Sequence, residues 1–151
     1  MAADPLIGQP PGSETLHAST VVLDDHALLI LGAAGSGKSA LALQLMALGA
    51  DLLADDRTII TREGKDLLAS CPESISGMIE ARGVGILNAR PAAAGRVGAV
   101  VDMNRIESDR LPPPKNVTLL GVTLPCLHKV EASYFPAAIV QYLRCGIRET
   151  L

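Results

Sequence analysis

The sequence predicts an α/β fold: a strand-rich mixed sheet with a phosphate-binding loop and few helices. Three observations predict it. Residues Gly32, Ala33, Ala34, Gly35, Ser36, Gly37, Lys38 and Ser39 complete a G-x-x-x-x-G-K-S/T pattern between an apolar run and a helical run. Short apolar segments bounded by turn residues recur along the rest of the chain. Only two segments have the length and flanking residues of a helix, so the sheet is expected to hold more antiparallel pairs than a regular nucleotide-binding α/β domain.

The elements follow in order. Residues 1–14 carry Pro5, Pro10, Pro11, Gly8 and Gly12 and are expected to form a flexible leader before one domain over 15–151. Residues 17–23 read as a strand, Asp24-Asp25-His26 as a turn, and 27–31 as the buried strand entering the loop. The apolar run over 40–48 reads as a helix, with Gly49 at the position of a helix C-terminal glycine. Strands are expected over 51–54, 57–61 and 66–70, with a turn at 62–65. Further strands are expected around 78–80, 97–103, 117–120 and 124–130, and a last helix over 136–145 ends at Gly146.

Bulk composition narrows the function. The chain has 151 residues, enough for one domain with a real core, and that core must be aliphatic because aromatics make up only 2%. A net charge of −3, with no Lys/Arg stripe and no aromatic stacking platform, argues against a nucleic-acid partner. No apolar run approaches the ~20 residues of a membrane-spanning helix, and the first residues lack a signal-peptide pattern. Cys71, Cys126 and Cys145 are widely spaced without a C-x-x-C pair, which fits a cytoplasmic protein with reduced thiols. The three histidines share no metal-ligand spacing.

Three constellations carry chemistry. In the loop, glycines let backbone N–H groups curl around phosphate oxygens, and the following helix adds its positive dipole end. Lys38 then reaches the β- and γ-phosphates and the Ser39 hydroxyl ligates Mg²⁺, so ATP and Mg²⁺ are the expected cofactors. Asp55 and Asp56 close the short strand that follows the loop helix, where one carboxylate can hold the metal and the other take a proton from an attacking hydroxyl. A polar turn closing the strand is the alternative. Glu80 and Arg82 stand two apart on an expected strand and so face one side, followed by Gly83 and Gly85, which allow close backbone approach to a ligand. Glu80 can complete a Mg²⁺ shell and Arg82 can steady phosphate charge; an exposed Glu–Arg pair before a loop fits the same residues. His17, alone at a strand start, reads first as an ordinary surface or core residue.

Taken together, His17, the loop at 32–39, Leu53-Ala54-Asp55-Asp56 and Ile79-Glu80-Ala81-Arg82-Gly83-Val84-Gly85-Ile86 resemble the catalytic domain of the HPr kinase/phosphorylase family over about residues 16–103. The resemblance implies the HPr kinase and PEP carboxykinase-like catalytic core. It also implies an ATP- and Mg²⁺-dependent serine kinase, or kinase and phosphorylase, acting on an HPr-like phosphocarrier of the phosphotransferase system. Lys38 then contacts the phosphates, Ser39 and Glu80 the metal, and Asp56 deprotonates the target serine. Asp55 supports the metal or Lys38, His17 matches the family's active-site histidine, and Arg82 opens a segment that serves both reaction directions. A homo-oligomer, hexameric in the family, is implied as well. With fewer than twenty residues before His17, the likeness is to compact, alphaproteobacterial-type members without the family's N-terminal domain.

The sequence also departs from the family. Residues 90–96 replace its Gly-Ala-Gly-rich loop, and 124–132 stand where it has a Pro-x-x-Pro-Gly-Arg-Asn stretch with an active-site arginine. Lys129 is the cation offered there instead, and the phosphorolysis direction stays open. A kinase for a small metabolite and a nucleotide-sensing regulator without phosphoryl transfer are the competing readings; the first needs a shaped polar or aromatic pocket, the second does not need Asp55 and Asp56.

Overall fold

The computed structural model describes residues 12–148. The described residues form eleven strands and two α-helices. In chain order these are β1 (Ser13–Leu16), β2 (Ala18–Leu23), β3 (His26–Leu31), α1 (Lys38–Ala47), β4 (Asp51–Ala54), β5 (Thr58–Glu63) and β6 (Asp66–Ser70). They continue with β7 (Met78–Ala81), β8 (Gly85–Asn88), β9 (Gly95–Ile106), β10 (Asn116–Leu119), β11 (Val122–Lys129) and α2 (Phe135–Cys145). The expected strand-rich α/β architecture is what forms. The leader expected over 1–14 lies mostly outside the described residues, and β1 begins at Ser13.

The main sheet runs β1-β5-β6-β9-β3-β2-β4, with β11 joined to β9 and β10 to β11. Strands β3 and β9 pair in parallel, as do β9 and β11. Strand β2 is antiparallel to both β3 and β4, so β3 and β4 also run the same way. The C-terminal ends of β3, β4, β9 and β11 therefore share one edge of the sheet, the edge where open α/β sheets present ligand sites.

Alternation along the central strands feeds two apolar layers. On one face Leu28, Ile30, Ala99, Val101 and Met103 pack with Leu41, Ala42 and Leu45 of α1 and Phe135 and Ile139 of α2. On the other, Ala27, Leu29, Val97 and Val100 pack with Ile60, Leu67 and Ala69 of β5 and β6 and with Leu124 and Cys126 of β11. The phase along β9 changes at Gly98, where the β3–β9 register slips between Ala27 and Leu28. An extra residue at such a bulge lets Val97 and Ala99 serve opposite faces. A Cβ at Gly98 would lie 3.1 Å from the His26 ring, which keeps that bulge narrow.

Three expectations need correction. Strand β7 ends at Ala81, so Arg82 lies in the turn beyond it, and the alternation that put Glu80 and Arg82 on one face does not reach Arg82. Gly83 and Gly85 belong to the β7–β8 hairpin, which pairs Met78 with Asn88 through Ala81 with Gly85. His17 is an exposed residue in the bend between β1 and β2 rather than the first residue of a strand.

Candidate active site at the loop edge of the sheet

Strand β3 runs straight into the phosphate loop. Helix α1 starts at Lys38, and Gly37 before it takes φ 101°, a left-handed conformation that a side chain disfavours. Gly32 lies so close to Ser36 that an added Cβ would collide with the Ser36 hydroxyl and sit 3.0 Å from Met103 Cβ. The glycines thus permit a turn tight enough to ring a phosphate.

Lys38 is 5% exposed, although its charge makes burial costly without partners. Its ammonium donates to the Gly32 carbonyl at 2.7 Å and the Ala33 carbonyl at 3.1 Å. Asp56 Oδ1 stands 3.6 Å away, and Asp56 is 57% exposed. The loop is braced from two further strands. Asn104 of β9 accepts the Ala33 N–H at 2.9 Å, and Lys129 of β11 donates to the Ser36 carbonyl at 3.1 Å.

The two adjacent acids have separate tasks. Asp55 Oδ1 accepts from the Ser39 hydroxyl at 2.6 Å and from the Ser19 hydroxyl at 2.8 Å. Its Oδ2 accepts the Glu80 backbone N–H at 3.2 Å. Asp56 turns the other way, with φ 67° in the left-handed region. That conformation is uncommon outside glycine and most tolerated by Asp and Asn. The backbone holds it there: the Asp56 N–H donates to Ser19 Oγ at 3.0 Å and its carbonyl accepts the Ala18 N–H at 3.1 Å. Below, the Thr58 hydroxyl donates to the Ala18 carbonyl at 2.9 Å and pairs with Thr20 Oγ1 at 2.8 Å. The result is a half-buried carboxylate facing Ser39 and an exposed one beside Lys38.

These contacts bring together Lys38, Ser39, Asp55, Asp56 and the Glu80 backbone, all singled out by the sequence. His17 joins the same edge because its neighbour Ala18 bonds to Asp56, and among the described residues its imidazole has no polar partner. The Glu80 side chain and Arg82 are exposed, and it is the Glu80 N–H that meets Asp55. Sequence reasoning did not single out Ser19, Thr58 or Asn104, and Lys129 stood there only as an open alternative; the signal for all four lies in strand pairing.

The donor set fits a phosphate and a hard cation. Ser39 and Asp55 offer hydroxyl and carboxylate oxygens within 2.6 Å of each other, the ligand type Mg²⁺ takes alongside water and phosphate. The Ser36 hydroxyl, buried in the loop, is without a hydrogen-bond partner among the described residues, a polar group of the kind a phosphate oxygen satisfies. Among the described residues no cluster of three His, Cys, Asp or Glu forms a stand-alone metal site. Burial pushes the Cys71 and Cys126 thiols up, away from the reactive thiolate. No helix of the described residues is long and apolar enough to cross a membrane.

Residues 11–107 match the family model described as the HPr Serine kinase C-terminal domain. The chain is 44% identical over 77 residues to proteins named HPr kinase/phosphorylase from Xanthomonas campestris pv. campestris (strain B100) and Xylella fastidiosa (strain M12). Each alignment covers 50% of this chain and 24% of the relative, so the chain spans about a quarter of the length of these curated relatives. A solved structure titled the Hpr(Ser) kinase/phosphatase from Coxiella burnetii superposes with a TM-score of 0.73 at 26% identity, covering 87% of this chain and 94% of that one.

Proposed function

This chain belongs to the HPr Serine kinase C-terminal domain family, and from that premise we propose that it is an ATP- and Mg²⁺-dependent serine kinase acting on an HPr-like phosphocarrier protein. The observation that carries this reading is the split between the two acids: Asp55 bonded to Ser39, and Asp56 exposed beside the buried Lys38.

In the forward direction the loop N–H groups and Lys38 hold the nucleotide's terminal phosphates. Ser39, with Asp55 behind it, would hold Mg²⁺, which supplies neutralisation of the phosphate charge. The incoming serine hydroxyl gives its proton to Asp56 as its oxygen attacks the γ-phosphorus, and ADP leaves. The Lys38 charge stabilises the charge that builds on the phosphoryl oxygens. The left-handed backbone at Asp56 fixes the carboxylate for that proton transfer, so positioning does much of the work. In the reverse direction phosphate attacks the phosphoserine phosphorus, the bond to the serine oxygen breaks, Asp56 returns the proton to that oxygen, and the pyrophosphate so formed is released.

Openness at Asp56 favours a protein-borne serine. A small metabolite would need walls around Asp56, whereas its carboxylate is 57% exposed. The roles of His17, Arg82 and the Glu80 carboxylate, and a hexameric assembly, belong to the same proposal. The test is incubation with labelled ATP, Mg²⁺ and the host's phosphocarrier proteins. Phosphoserine on a carrier supports the reading, and its release as pyrophosphate on adding phosphate supports reversal. ATP binding without any labelled carrier contradicts it in favour of a nucleotide-sensing role.

A further inference from the structure

Lys129 is the second lysine at the phosphate loop, and the proposed reaction gives it no task. It ends β11, whose parallel register with β9 sets Lys129 opposite Ile106 and brings its side chain over the loop. The ammonium donates to the Ser36 carbonyl at 3.1 Å and would lie 3.8 Å from a Cβ on Gly37. One carbonyl uses one of three ammonium hydrogens. Lys38 faces Asp56 and Lys115 bonds Glu107 at 2.6 Å, yet no carboxylate of the described residues pairs with Lys129. A half-buried cation without an anionic neighbour, held at the rim of a loop shaped for phosphate, points to charge arriving with the ligand.

Its side of the loop indicates which phosphate. Lys38 bonds the Gly32–Ala33 limb and meets Asp56, where the acceptor serine enters. Lys129 bonds the Ser36–Gly37 limb instead. From there a groove of about 200 Å³ runs between α1 and α2, lined by Ala40, Leu41, Gln44, Met103, Val130 and Phe135. The groove is continuous with the loop at Gly37 and Lys129 and has mainly apolar walls, the kind of space a nucleoside occupies.

We propose that Lys129 is a second phosphate cation, holding the phosphates that stay with the nucleoside while Lys38 serves the one that moves. The inference rests on the kinase reading, because it divides one nucleotide between the two lysines. The measurement is calorimetric binding of ADP and of pyrophosphate to the full chain, with Mg²⁺, for wild type, Lys129→Met and Lys129→Arg. Lys129→Met keeps the apolar stem, and its melting temperature is read in parallel. Loss of a charge-assisted contact predicts about tenfold to hundredfold weaker binding of both ligands, largely restored in Lys129→Arg, with melting within a few degrees of wild type. Unchanged affinity with lowered melting would make Lys129 a tether of the loop and overturn the proposal. Weaker ADP with unchanged pyrophosphate would overturn it too, by assigning the effect to the nucleoside. Carrier phosphorylation by the wild type is assayed alongside: ADP binding that depends on Lys129 without transfer refutes the kinase reading alone, and transfer without dependence on Lys129 refutes this inference alone. A wild type that binds neither ligand refutes both.

Discussion

The phosphate loop and the β7–β8 hairpin are both glycine-bearing turns at the loop edge of the sheet, and they are held very differently. The loop is tied by Lys38 from within, by Asn104 from β9 and by Lys129 from β11. The hairpin is pinned by the buried Ile79, by the half-buried Leu87 and by one N–H bond from Glu80 to Asp55, while Val84 and Ile86 stand 76% and 65% exposed. A phosphate cradle must be preorganised before the ligand arrives. A segment that meets a macromolecule can leave apolar side chains in water until the partner covers them. On the proposed reading, the contrast separates a part that binds phosphate from a part that presents itself to the carrier.

Substitutions can break or sharpen that contrast. The largest effects belong on the loop side of Asp55. Asp56→Asn is expected to lower phosphoryl transfer by about 10²–10⁴-fold with ADP affinity kept. Lys38→Ala is expected to lower it by about 10²–10³-fold and to weaken nucleotide binding as well. Both are read by single-turnover transfer and calorimetry. Next come packing effects: Ile79→Ala, at a site 1% exposed, should lower unfolding stability by about 2–5 kcal/mol. Ile86→Ala, one register step away on the other strand, should change it by no more than about 0.5 kcal/mol, as read from urea midpoints. An equal loss at both would show that the hairpin is packed throughout. Asn104→Ala removes one brace from the loop and should cost about 0.5–1.5 kcal/mol, with a few-fold weaker ADP binding.

Much of the binding half was legible before the structure because its signals are local. The Gly-Lys-Ser turn, the aliphatic helix behind it and the strand ending in two acids each occupy fewer than a dozen consecutive residues. What escaped depends on partners far along the chain. Strand β1 is a short Ser-Glu-Thr-Leu segment with no apolar alternation, and it exists because it pairs with Ser13 opposite Thr61 on β5. Strand β8 opens on Gly85 and is mostly exposed, so glycine read there as an approach point rather than a hairpin residue. Asn104 and Lys129 reach the loop through the parallel pairing of β3, β9 and β11, a register that no local pattern carries. The acids show the same limit. Their adjacency indicated two roles, but the assignment of Asp55 to Ser39 and Asp56 to Lys38 required the left-handed turn at Asp56.

That assignment is the centre of the account, and one comparison tests it most directly. Wild type and Asp56→Asn are each mixed with ATP, Mg²⁺ and a phosphocarrier that the wild type modifies, and phosphoserine is counted over a single turnover. The account predicts matched ADP affinity in the two proteins and phosphoserine in the wild type alone. Phosphoserine forming in Asp56→Asn at the wild-type rate would contradict it, and would move the proton acceptor away from the exposed carboxylate beside Lys38.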